Sequence, residues 1–229
     1  MKLFLYFLAL VAIFGIFSGS AEPVVSFLRG NKIESTLHAL HNGNSIFFNL
    51  SVGFLSSFIF WLLVVQYPEC KRRALLRDNL ALQYQNFKES VIRIFLNCSN
   101  VSRDSEFQKS LSNHLEFKKF FSGNNWQNWY DVQNGLQDQI HHMHDLLFEL
   151  ELLASEVAYV LNNVSIQDPK VHHSLKFLNE HIFRLKNSSV YYNDPAKYVS
   201  NFLYGILARW SFNDGPRQDD YIKELIKKL

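Results

Sequence analysis

The sequence predicts an all-α protein in which an N-terminal two-helix transmembrane hairpin is followed by a cytoplasmic helical bundle. Three observations carry that expectation. Two apolar segments, at about residues 3–18 and 45–66, contain no Asp, Glu, Lys or Arg. Lys71, Arg72, Arg73 and Arg77 follow the second segment closely. Beyond them, apolar residues recur at spacings of three and four, the period of an amphipathic helix. The hairpin and the bundle are expected as two domains, 1–67 and 68–229.

The second segment (SIFFNLSVGFLSSFIFWLLVV) is long enough for a bilayer core, which takes about 20 apolar residues. The first (LFLYFLALVAIFGIFS) is shorter and admits two readings. Lys2, the apolar run and the small residues Gly19-Ser20-Ala21 match a secretory signal cut after Ala21. Alternatively the segment is retained as a span, its shortness absorbed by tilt or local thinning of the bilayer. Retention is the favoured reading and gives two spans joined by an external loop at about residues 20–43. Basic residues near the span ends set orientation. The loop has Arg29 and Lys32; the larger cluster of Lys71, Arg72, Arg73 and Arg77 stays inside, where it fixes topology and meets anionic lipid headgroups. Both termini are then cytoplasmic.

Within the second segment Ser45, Asn49, Gly53 and Ser57 recur every four residues, which places them in one stripe on a helix. Small and polar groups gain nothing from lipid and usually face another helix. One reading packs the stripe against the first segment, helped by Ala9, Ala12 and Gly15. The other has it face further copies of the chain, as the seam of a homo-oligomer or the wall of a pore. No ionisable residue lies in either segment, which argues against a proton or ion transporter.

The remaining elements follow in order. Residues 71–97 form an amphipathic helix with Leu76, Leu80, Tyr84, Phe87, Val91 and Phe95 on one face, and Pro68 predicts a kink or break before it. A turn is expected at 97–102. Ser105 with Gln108 resembles a capping box, opening a helix with Phe107, Leu111, Leu115 and Phe120 that stops at 123–125. A long helix is expected over 129–163, with Val132, Leu136, Ile140, Met143, Leu147, Leu150, Leu153, Val157, Val160 and Leu161 as its apolar face. Asp168-Pro169 and Asp194-Pro195 each read as an N-cap followed by proline at the first helical position. The first opens a helix with Val171, Leu175, Leu178, Ile182 and Leu185. The second opens one with Tyr198, Phe202, Ile206 and Trp210, ended by residues 213–216. A final basic amphipathic helix, 219–229, carries Ile222, Leu225, Ile226 and Leu229. No strand-period alternation and no internal repeat stands out.

Composition narrows the function. The 229 residues carry a net charge of +2, so no overall field favours nucleic acid. Cys70 and Cys98 do not make a disulfide framework; Cys70 reads as an interfacial cysteine, with acylation as the alternative. His141, His142 and His144 cluster with Asp145, yet only His141 and Asp145 share the i, i+4 spacing of a one-helix metal site, and a polar helix face is the expected role. His172 and His173 have no partner pattern. Glu149, Glu151 and Glu156 read as a charged face. No phosphate-loop glycine motif and no nucleophile elbow occurs. No catalytic residue, metal site, cofactor or small-molecule substrate is therefore expected. Lys118 and Lys119 near Trp126 and Trp129, and Lys223, Lys227 and Lys228 at the C-terminus, are the places where backbone and stacking contacts with nucleic acid could occur.

With MKLFLYFLALVAIFGIF and SIFFNLSVGFLSSFIFWLLVV near its start and a helical domain behind KRRALLR, the chain resembles the two-transmembrane effectors encoded beside retron reverse transcriptases in bacterial anti-phage systems. The Asn-, Lys- and Phe-rich composition also looks like that of an AT-rich bacterial gene. The resemblance covers the layout and no catalytic motif, so no site residue transfers. It implies an abortive-infection toxin of the bacterial inner membrane, held inactive by a complex of reverse transcriptase and its small DNA–RNA product, and damaging the membrane once released. Two other readings stay open. One is a non-enzymatic membrane-anchored adaptor or assembly protein. The other is a secreted or type I membrane protein of a eukaryote, for which the N-x-[ST] triplets at Asn49, Asn97, Asn100, Asn163 and Asn187 would matter.

Overall fold

The computed structural model describes residues 2–21, 29–99, 101, 104–123, 126–187, 194–211 and 215–229. The chain is all-helical: α1 (Lys2–Gly19), α2 (Glu34–Leu40), α3 (Ser45–Trp61), a π turn (Leu62–Gln66), α4 (Tyr67–Cys98), α5 (Ser105–Ser110), α6 (His114–Ser122), α7 (Gln127–Asp138), α8 (Ile140–Asn163), α9 (Pro169–Lys186), α10 (Pro195–Leu207) and α11 (Tyr221–Lys227). A two-residue antiparallel pair, β1 (Trp210–Ser211) with β2 (Gly215–Pro216), aligns Trp210 with Pro216. It is too short to leave a period-two signal in the sequence. The chain divides into two compact units, Met1–Arg72 and Arg73–Leu229. The signal cleavage position after Ala21, part of the loop at 20–43, Asn100 and parts of the expected turns at 97–102, 123–125 and 213–216 lie outside the described residues.

In the first unit α1 and α3 form an antiparallel pair. The Tyr6 ring meets the Phe58 ring at 5.7 Å, while at the other end Gly15 lies against Ser51 and Phe47, and Gly19 against Asn44 and Phe48. A Cβ on Gly19 would stand 2.8 Å from the Asn44 carbonyl oxygen and 2.9 Å from the Phe48 nitrogen. The helices therefore approach this closely only with glycine there. Ala9, Ala12, Ser18 and Ser51 are buried in the same seam. The connection is tied down as well. Ser18 Oγ donates to the Leu40 carbonyl at 2.6 Å and the Ser18 carbonyl accepts from Asn42 N. Asn44 then caps α3, its side chain accepting from Ile46 N and Phe47 N.

Pro68 does not break the helix. Helical structure runs from Ser45 to Cys98, and the wide turn at Leu62–Gln66 precedes the proline. Tyr67 N–H donates to the Leu62 carbonyl, five residues back. Proline has no N–H to offer the carbonyl four residues before it. A π turn places one additional residue at that point instead of ending the helix.

The second unit is built around α4, whose Leu80, Tyr84, Phe87, Val91, Ile92 and Phe95 are buried. Aromatic rings fill one end of its core: Phe95 meets Trp129 at 5.4 Å and Phe121 at 6.0 Å, both edge-on. Each fully buried side chain of this size contributes about 1.5–3 kcal/mol. The Asp–Pro starts of α9 and α10 hold: Asp168 accepts from Lys170 N and Asp194 from Lys197 N. The expected faces of α9 and α11 are the buried ones.

Three expectations are corrected. The helix expected from 105 is two helices, capped by Asp104 and Asn113, whose side chains accept from Glu106 N and Leu115 N; Ser105 lies inside the first turn, and Leu115 is exposed. The helix expected over 129–163 breaks at Gln139, which is extended (φ −122°, ψ 90°). The break shifts the phase, so Ile140 is exposed and α8 buries Leu146, Leu150, Leu153, Val157 and Val160. On α10 the core face is Ala196, Val199, Leu203, Tyr204 and Leu207. Tyr198 and Trp210 stand exposed, and Phe202 and Ile206 are half-buried.

Candidate functional site

Two features of the structure call for a partner: the outer surface of the α1–α3 pair and a groove in the second unit. The first begins with where the apolar residues of the pair point. Leu3, Phe7, Leu10, Ile46, Leu50 and Phe60 are all more than half exposed. Only 6% of the most apolar window of the helix starting at Ser45 is buried, at a mean hydropathy of 2.0. A core helix of a soluble domain hides most of such a window, and a contiguous exposed patch of this kind marks contact with membrane or protein. By length and composition this is one candidate membrane-crossing helix; Leu3–Gly19 is a shorter apolar helix.

The stripe lies on the outer side of α3. Ser45, Asn49, Gly53 and Ser57 are exposed, and nothing stands within 4 Å of the position a Cβ on Gly53 would take. Ser57 Oγ donates to the Gly53 carbonyl at 2.9 Å. Packing of the stripe against α1, one of its two sequence readings, is therefore incorrect. Ser51 faces α1, and Gly53, two residues on, lies about 200° around the helix. The sequence does carry the true seam: Gly15 and Gly19 form a G-x-x-x-G pair, the spacing that lets helices approach in apolar surroundings.

The basic residues after the π turn have different roles. Lys71 and Arg72 are exposed, with the Lys71 ammonium 4.7 Å from the centre of the Tyr67 ring. Arg73 is half-buried and Nη2 donates to the Ser165 carbonyl at 2.8 Å, tying α4 to the segment after α8. Arg77 pairs with its neighbour Asp78 at 3.0 Å. Arg73 and Arg77 are thus engaged by the second unit's own structure.

The groove, of about 880 Å³, is lined by α9, α10, α11, Tyr84 of α4 and Trp210 of β1. Along one side His181 stands between Phe177 and Phe202, at ring distances of 6.1 and 4.9 Å. Burial, and then Arg184, hold the imidazole below its ordinary value, so it is neutral at pH 7. Tyr198, Trp210 and Tyr221 add three more rings to the lining. Tyr221 is fixed by donating to Ser174 Oγ at 2.7 Å, and the Arg217 guanidinium lies 4.9 Å over its ring.

Arg209 lines the groove and its backbone is unusual. As the residue that follows the α10 cap it has φ +52°, the left-handed region where glycine is favoured. Its carbonyl accepts from Arg217 N at 2.8 Å and its Nη1 donates to the Gln218 carbonyl at 2.6 Å. Its side chain is half-buried and borders the groove. Asp220 also borders the groove but is already satisfied. Tyr84 OH donates to it at 2.8 Å, Lys88 Nζ lies 3.1 Å away, and Lys223 N donates as α11 begins. Burial, and then the Asp220 charge, push the Tyr84 hydroxyl well above its usual value, so it remains a donor at any physiological pH.

The other groups singled out by sequence are scattered. Among the described residues no group of three His, Cys, Asp or Glu is placed to hold a metal; His142 is buried while His141, His144 and Asp145 are exposed. Glu151 pairs with Lys186 at 2.6 Å and Lys227 with Glu224 at 2.6 Å. Trp129 is buried in the core, and Lys118 stands over Trp210 instead of the tryptophans near it in sequence. No family model, no curated protein and no solved structure matches the chain. The class defined by fold and site is thus a helical protein with one candidate membrane-crossing helix and a grooved helical unit.

Proposed function

We propose that the protein is a membrane-acting effector without enzymatic activity, in which α1 and α3 cross a bacterial inner membrane as a pair and both termini are cytoplasmic. The observation that carries this reading is the combination on α3 of a scarcely buried apolar surface with an outward polar stripe. In lipid, Ser45, Asn49, Gly53 and Ser57 gain from facing the same groups on further copies, because small residues allow close approach and polar groups then hydrogen-bond across helices. A homo-oligomer joined in this way has a polar seam through which ions leak. At about 1.5 Å per residue, α1 is about 27 Å long, a few Å short of the hydrocarbon thickness, a mismatch that thins the bilayer locally.

The helical unit is the part that a restraining partner holds. The resemblance of the layout to retron effectors implies a reverse transcriptase with its DNA–RNA product as that partner, and anti-phage abortive infection as the setting. Restraint and release require a partner that binds the inactive and active states unequally. The test is expression of Asn49→Leu with Ser57→Leu in bacteria while membrane potential is followed by dye fluorescence. The wild type depolarises the cell; the double variant accumulates equally and does not. Full depolarisation by the variant rejects the stripe. Replacing α1 and α3 by an unrelated apolar hairpin separates an effector, which loses its effect, from a membrane-anchored adaptor, which keeps it.

A further inference from the structure

We propose that the outward face of α4 pairs in parallel with the same face of a second copy of the chain, so that copies meet in the helical unit as well as in the membrane. This pairing rests on the reading of α3 as a membrane helix that meets further copies, and adds a second surface to it. The two faces of α4 differ in kind. On the core face Leu76, Leu80, Tyr84, Phe87 and Val91 are buried. On the outward face Leu75 and Leu82 are 61% and 62% exposed, and core formation requires neither.

The two leucines belong to a regular row. Leu75, Asn79, Leu82, Asn86, Glu89 and Arg93 are spaced alternately by four and three residues, and all six are exposed. This alternation is the heptad spacing with which two helices keep one seam in contact as they wind round each other. Leucine and asparagine alternate at the first four positions. Asparagine in such a seam sets the register of a parallel pair, because each amide then meets the same amide of the partner helix. An antiparallel pair sets asparagine against leucine instead. Copies that cross one membrane in the same orientation present α4 in the same direction, so the parallel arrangement is the one open to them.

Charge favours the same occupant. The row ends in Glu89 and Arg93, one helical turn apart. Within the chain both are held by uncharged side chains: Glu89 accepts from Gln85 Nε2 at 2.8 Å, and Arg93 Nη2 donates to Ser90 Oγ at 3.5 Å. In a parallel pair the carboxylate of each copy approaches the guanidinium of the other. A lipid surface fits the row poorly, since Asn79 and Asn86 alternate with the leucines and amides gain nothing from acyl chains. The row is shorter than the roughly three to four heptads of a free-standing coiled coil. It suits copies that α3 already holds together, because a second contact is then made at high effective concentration.

The experiment is disulfide cross-linking of the full chain in isolated native membranes with copper phenanthroline, on a Cys70→Ser background. Cys98 is buried and stays out of the reaction. Leu82→Cys is compared with Ala81→Cys, also exposed but about 100° around the helix, and Gly53→Cys reports on α3 separately. Leu82→Cys gives disulfide dimers at about fivefold or more the yield of Ala81→Cys. Adding Asn79→Asp and Asn86→Asp sets like charges opposite each other and lowers the Leu82→Cys yield about fivefold or more, while an unchanged unfolding midpoint shows that the fold is kept. Equal yields at Leu82→Cys and Ala81→Cys, or no dimers at Leu82→Cys, overturn the proposal. So does a Leu82→Cys yield that the two aspartates leave unchanged. Dimers at Gly53→Cys beside any of these results leave the α3 reading standing. Selective Leu82→Cys dimers with none at Gly53→Cys support the α4 pairing and reject α3 as the helix that gathers the copies.

Discussion

Phe95 and Phe7 carry the same side chain in opposite surroundings. Phe95, on α4, is fully buried among Phe117, Phe121 and Trp129, whereas Phe7, on α1, is 60% exposed. The difference extends to the two units as wholes. Arg73–Leu229 buries one continuous set of apolar residues and satisfies its buried charge internally, with Asp220 held by Tyr84 and Lys88. Met1–Arg72 buries a narrow seam of small residues and leaves many large apolar side chains, such as Leu3, Phe7, Ile46, Leu50 and Phe60, exposed. A unit of the first kind gains its stability from its own core. One of the second kind gains its stability from an apolar solvent or partner, which is why the outer surface of α3 is the place to look for action.

The largest expected effect breaks the comparison at its extremes. Phe95→Ala costs the helical unit about 3–5 kcal/mol, read as a lowered midpoint in denaturant unfolding followed by circular dichroism. Phe7→Ala leaves that transition unchanged. Equal losses in the two variants would mean that Phe7 has a buried role the fold does not give it.

Next is the seam of the first unit. Gly19→Leu drives a side chain into the Asn44 and Phe48 backbone. The α1–α3 pair then separates, read as loss of energy transfer between dyes placed on the two helices in nanodiscs, while the unfolding midpoint of the helical unit stays in place. Gly53→Leu, on the open side of α3, leaves the pair intact.

The smallest effect sharpens the contrast without altering stability. Cys98 is buried and its thiol is pushed up to about 12 by that burial. Cys70 is exposed on the helix after the π turn. A maleimide at pH 7.5 therefore labels Cys70 within minutes and leaves Cys98 unmodified until the chain is unfolded, as read by intact-mass spectrometry. Comparable labelling of both cysteines in the native protein would place Cys98 outside the core.

Much of this was legible in the residues, and the exceptions have physical causes. Val171, Leu175, Leu178, Ile182 and Leu185 recur at helical spacing as one apolar stripe, so the buried side of α9 followed directly. On α10 there are two apolar faces, and periodicity locates both without saying which one enters the core. The groove thus went unrecognised, because the expected core face lines it. The break at Gln139 involves one extended residue within a polar run, with no proline to mark it. In the hairpin one reading placed the small residues Ala9, Ala12 and Gly15 of α1 at a helix seam, where they lie, but Ser51 of α3 was passed over for the longer stripe on the far side of the helix. The tie between Tyr84 and Asp220 spans 136 positions of sequence, a distance over which local pattern carries no information.

The central claim is that α3 meets its own kind along Ser45, Asn49, Gly53 and Ser57. Its most direct test is cross-linking in native membranes with a short bis-maleimide, on a Cys70→Ser background, comparing Gly53→Cys with Ile59→Cys. Ile59 is also exposed but lies about 120° around the helix from Gly53. The account predicts covalent dimers for Gly53→Cys and few for Ile59→Cys. Equal yields at the two positions, or none at Gly53→Cys, would contradict it.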